Sequence, residues 1–125
     1  MTALLLVGVA IAGGVGAALR FFLDGLVKTH TAGTFPYGTA LINLTGAFAL
    51  GLITGLASNG WLPPAVVTVI GVGLLGGYTT FSTASFETVR LAQERRYGAA
   101  AINGLGMLTA CTMAALLGIW IGALP

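Results

Sequence analysis

Residues Gly76 to Thr83 read Gly-Gly-Tyr-Thr-Thr-Phe-Ser-Thr and sit inside a long apolar stretch. Two adjacent glycines are followed by hydroxyls at Thr79, Thr80, Ser82 and Thr83. Hydrocarbon offers backbone groups no water, so an interrupted helix survives at membrane depth only where it lines a site or is packed within protein. Such an interruption frees carbonyls at the end of one half-helix and N–H groups at the start of the next. Free carbonyls suit a cation, and free N–H groups at a positive dipole end suit an anion. Ion handling is the chemistry these residues offer. The glycines alone fit equally well the close approach of a neighbouring helix, and the hydroxyls weigh against that simpler reading.

Other residues offer chemistry at membrane depth. Arg20 ends a helical face that carries Gly8, Ala12 and Gly16. It either snorkels to the interface or points into protein, where it would attract anions. Asp24, four residues on, is its expected ion-pair partner. Asn43, with Thr39 one turn before it on the same face, is either interhelical glue or a donor to an anion. Phe81 and Phe86 are lipid-facing bulk unless their positive ring edges meet an anion. Thr109 and Thr112 share one face of the last apolar stretch, with Asn103 on another, and bonding back to their own helix is the simpler reading for the threonines. His30 reads as a solvated loop residue, and Trp61, Trp120, Tyr37 and Tyr97 as interfacial anchors.

The elements that position these residues are membrane spans. Charged residues make up 6% of the chain, against about 25% in a soluble domain. Hydrophobic residues reach 57%. One membrane domain over residues 1–125 is expected, with four helices at about 3–23, 36–57, 64–90 and 97–124 by the spanning-length criterion. Pro36 is expected in the first turn of the second. The third is expected to break in mid-membrane at Gly76-Gly77, because glycine unwinds without a Cβ penalty. Further small-residue stripes run through Ala47, Gly51 and Gly55 and through Ala110, Ala114, Gly118 and Gly122, where helix backbones can meet. These many packing faces predict at least a dimer. Lys28, Arg90, Arg95 and Arg96 fall on loops at one end, which the positive-inside rule places in the cytoplasm.

Several classes are disfavoured. A net charge of +2 is too small for nucleic acid. The single Cys111 permits no intrachain disulfide. No pattern of nucleophile, base or metal ligands suggests an enzyme. The acids Asp24, Glu87 and Glu94 lie near helix ends, whereas a proton-coupled exporter wants a carboxylate at the midplane.

Three stretches together, Gly13–Arg20 (GGVGAALR), Tyr37–Asn43 (YGTALIN) with Gly46, and Gly76–Thr83 (GGYTTFST) with Glu87, resemble the Fluc (CrcB) family of bacterial fluoride channels from end to end. The resemblance implies an all-α membrane protein in the bacterial cell membrane, assembled as an antiparallel dual-topology dimer with two narrow pores. It implies passive export of fluoride and a structural sodium ion at the centre, held by backbone carbonyls of Gly76 and Thr79. Asn43 would be a pore donor, Arg20 the vestibule arginine and Phe81 the first member of a phenylalanine box. Ser82, Thr83 and either Thr109 or Thr112 would be polar pore-lining groups. One departure stands out: the family motif carries a second phenylalanine where this chain has Ala84. Phe86 lies about 200° further round the helix and cannot replace it. That substitution, with the one-sided charge, keeps open a non-conducting or partial subunit of a heterodimer beside the homodimer. A small proton-coupled exporter is the remoter alternative.

Overall fold

The computed structural model describes residues 2–125 and is all helical. Four stretches are long and apolar enough to cross a membrane: Ala3–His30, Tyr37–Ser58, Pro64–Gln93 and Tyr97–Gly122. We call them the first to fourth spans. The first starts at an N-cap, Thr2, whose hydroxyl accepts from the N–H of Leu5. It runs about 42 Å at the α-helical rise and ends at His30, seven residues beyond the expected edge at 23. The first connection therefore shrinks to residues 31–36. Pro36 caps the second span from outside, where its fixed φ and missing N–H are equally harmless. In the third span Pro64 does occupy the first turn.

Glycine stripes set the packing. In lipid no hydrophobic force draws helices together, so close backbone contact has to do so. A Cβ on Gly51 or Gly55 would collide with the carbonyl of Ala115 or Ile119, and one on Gly118 or Gly122 with the carbonyl of Phe48 or Leu52. The second and fourth spans thus interlock through glycines on both sides. The first and third do likewise: Gly16 lies against the carbonyl of Leu74, and Gly77 against that of Gly13.

Two features of the later spans differ from expectation. Wide i→i+5 turns run over Thr68–Leu75 and Ile102–Gly106, which the apolar pattern does not signal. Gly76 and Gly77 remain helical in Gly76–Tyr78. The extended residues are Thr79 (φ −78°, ψ 160°) and Thr80 (φ −147°, ψ 123°), after which Phe81–Gln93 is helical again. Gly77 therefore serves helix contact, while Gly76 faces open space.

Lys28 and Arg90 lie in the last turns of helices and not in the loops expected for them, and the first and last connections meet at one end. An Arg90 η-nitrogen donates to the Thr34 carbonyl at 3.1 Å, and Arg96 donates to the Thr34 hydroxyl. His30 is exposed, as read from the sequence, but it closes the first helix and is not in the loop expected for it, because helical bonding continues past the apolar boundary.

Gly51→Val is expected to lower thermal stability by about 1–3 kcal/mol, because the added branch meets backbone that cannot move aside. Gly25→Ala, at an exposed helical position with open space around it, should stay within about 0.5 kcal/mol. Thermal unfolding in detergent checks both; equal effects would refute the interlock.

Candidate functional site

The extended pair Thr79-Thr80 is held from three directions. Thr79 stays tied to the preceding helix, since its N–H and its hydroxyl both donate to the Leu75 carbonyl at 2.9 Å. Thr80 turns to the second span. Its N–H donates to Asn43 Oδ1 at 2.8 Å, and its carbonyl accepts from Asn43 Nδ2 at 2.8 Å. Backbone N–H only donates and backbone C=O only accepts, so these two bonds fix the orientation of the amide. The Thr80 hydroxyl accepts from the Thr83 N–H at 3.2 Å and so caps the helix that follows. It also reaches the hydroxyls of Thr83 at 3.0 Å and Ser82 at 3.4 Å.

Arg20 supplies the third hold. It points into protein, where its Nε donates to the Gly77 carbonyl at 3.2 Å. The expected pair with Asp24 does not form; Asp24 bonds Lys28 at 2.6 Å instead. A half-buried carbonyl stripped of its helical partner is costly to leave unsatisfied, whereas the Asp24 carboxylate, itself half-buried, has a lysine one turn further on.

Asn43, Gly76, Thr79, Thr80, Phe81 and Ala84 line a cleft of about 610 Å³ between the second, third and fourth spans. Of the residues predicted from sequence, it gathers Asn43, Gly76, Thr79 and Phe81. Arg20, Ser82, Thr83, Thr109 and Thr112 lie outside its walls. Phe81 is 87% exposed at the rim. Thr109 and Thr112 are exposed and bond back to the carbonyls of Leu105 and Leu108 at 2.9 and 2.8 Å.

Two buried polar contacts went unread in the sequence. Glu87, expected near a helix end, is only 8% exposed and accepts from the Thr39 hydroxyl at 3.1 Å. Asn103 is 1% exposed and donates to the Thr88 hydroxyl at 2.8 Å and the Ala84 carbonyl at 3.2 Å. The signal available for the first was spacing: Thr39 is one turn from Asn43, on the face that meets the third span.

Four membrane-length helices, with polar groups converging on one gap in the third, define a small multi-pass helical membrane protein. Residues 7–119 match the family described as CrcB-like protein, Camphor Resistance (CrcB), and the chain belongs to that family. Among relatives, Fluoride-specific ion channel FluC 1 of Leifsonia xyli subsp. xyli is 52% identical over 124 residues, covering 99% of this chain and 90% of that protein. FluC 2 of Mycobacterium tuberculosis is 43% identical over 121 residues, covering 97% and 93%. FluC of Geobacter sp. is 41% identical over 117 residues, covering 93% and 94%.

Replacing Arg20 by Met removes the donor to Gly77 and should cost about 1–3 kcal/mol of stability, the penalty of an orphaned carbonyl. Arg20→Lys should restore part of it. If both variants melt with wild type in detergent, the bond contributes nothing.

Proposed function

We propose that this chain is a subunit of a fluoride-specific ion channel that releases cytoplasmic fluoride passively and so lowers its toxicity. The observation that carries this is the near-full-length likeness to proteins named as such channels, at 52% identity over 99% of the chain. The cleft at the Thr79-Thr80 gap supports it. Fluoride is small and strongly hydrated, so a pathway must replace its water with compact donors. Asn43 spends one amide hydrogen on Thr80 and keeps a second. The N–H groups of Phe81 and Ser82, at the start of a helix, have no bonding partner among the described residues.

An inside-negative potential drives anions outward with about 2.3 kcal/mol per elementary charge per 100 mV. Passive conduction then suffices, and no coupled pump is needed. Lys28, Arg90, Arg95 and Arg96 mark the cytoplasmic end in this reading.

The active form we propose is an antiparallel dimer whose third spans, interrupted at membrane depth, cross at the centre. Phe81, at 87% exposure, and Phe86, at 69%, border the surface a second subunit would cover. A central sodium ion fits the residues present. Gly76 and Thr79 line the cleft, and their carbonyls have no donor among the described residues; hard oxygen ligands suit a hard cation. When bound, the ion would supply positive charge that neutralises these carbonyls.

Ala84 favours a second reading, a partial subunit of a heterodimer. Its methyl leaves the cleft wall open where the family carries a ring, and the one-sided charge disfavours insertion in both orientations.

The test is fluoride efflux from liposomes holding this chain alone, followed with a fluoride electrode against chloride. Fast efflux of fluoride and not chloride, indifferent to an imposed pH gradient, is expected of a self-sufficient channel. Dependence on the pH gradient would favour a coupled exporter. Silence from well-folded protein would sink self-sufficiency, and coexpression with a homologue should then restore efflux. Crosslinking in cells that yields only self-pairs would refute the heterodimer.

A further inference from the structure

We infer that Asn43 is a positioning residue whose amide holds the Gly76 carbonyl open as an ion ligand. The inference rests on the proposed channel with its central cation and adds a role for Asn43 apart from any contact with fluoride. In an uninterrupted helix the Thr80 N–H would donate to the Gly76 carbonyl four residues back. Here Asn43 Oδ1 takes that N–H at 2.8 Å, and Asn43 Nδ2 returns a bond to the Thr80 carbonyl at 2.8 Å. The side-chain amide thus pairs with Thr80 as a neighbouring peptide would.

The consequence appears in the carbonyls around the gap. Leu75 accepts from Thr79, Gly77 from Arg20 and Thr80 from Asn43. Gly76, Tyr78 and Thr79 are left without donors among the described residues, and of these only Gly76 and Thr79 line the cleft. The side chains around the gap therefore help select which carbonyls of cleft-lining residues stay unbonded. Gly46 makes the approach possible: a Cβ there would collide with the Thr79 methyl and press on the Tyr78 ring, pushing the second span and Asn43 away.

Thr79-Thr80 is the one adjacent threonine pair in the sequence. Protein labelled with ¹³C-carbonyl, ¹⁵N-threonine in detergent therefore gives a single coupled signal, from the Thr79 carbonyl and the Thr80 amide. In sodium-free buffer, Asn43→Leu should move the Thr80 amide signal, while Asn43→Asp, which keeps the acceptor, should leave it near wild type. Titrating sodium should then move the Thr79 carbonyl signal of wild type. The half-saturating concentration should rise about tenfold in Asn43→Leu, the weight of one hydrogen bond competing for the Gly76 oxygen. Asn43→Ser, too short to bridge, serves the same comparison should the leucine variant not fold. An unmoved Thr80 amide, or a sodium midpoint unchanged while thermal stability alone falls, overturns the inference. A wild-type carbonyl signal blind to sodium refutes the cation reading instead, and the sodium-free amide comparison still decides whether Asn43 holds Gly76 open.

Discussion

A peptide group in hydrocarbon must find its hydrogen-bond partner within the protein, and the third span meets that demand with side chains. Where Thr79 and Thr80 leave the helix, Asn43 from the second span and Arg20 from the first replace the partners that helical geometry would have provided. The rest of the architecture serves those two approaches. Gly16 and Gly77 let the first span lie against the third, and Gly46 lets the second come near. The gap is thus an ordered structure with its own bonding pattern, and it exposes a small, specified set of polar groups to the cleft.

The coarse fold was readable because it follows from rules that act locally. Four apolar stretches of spanning length, separated by short connections, leave little choice of architecture, and the small-residue stripes named the faces that meet. Ends were less legible: the first helix continues to His30 because Lys28 pairs with Asp24 and helical bonding does not stop at the apolar boundary. The gap was misplaced by three residues for a related reason. Glycine makes unwinding cheap without requiring it, and Gly76 and Gly77 stay helical in Gly76–Tyr78, with Gly77 packed on Gly13 of the first span. Thr80 is pulled by Asn43, which lies 37 residues away, and no local pattern encodes that contact.

Side-chain partners were the least legible part of the site. Arg20 had two acceptors within reach, and its choice of Gly77 over Asp24 depends on a carbonyl that is orphaned only once the third span is interrupted. Glu87 lies six residues before the end of its helix at Gln93 and reads as interfacial until Thr39 is seen to cover it. Thr109 and Thr112 are exposed and bond back to the carbonyls of Leu105 and Leu108, the simpler reading of their spacing.

The interlock of the second and fourth spans has a thermal corollary. Gly51, Gly55, Gly118 and Gly122 each bring a Cα up to a carbonyl of the facing helix, the arrangement in which weak Cα–H···O bonds form. Association of this kind within a bilayer withdraws almost no apolar surface from water, and such withdrawal is the source of the large heat-capacity change of soluble proteins. The stability of this helix pair should therefore vary gently with temperature, without the steep curvature that makes water-driven cores weaken in the cold.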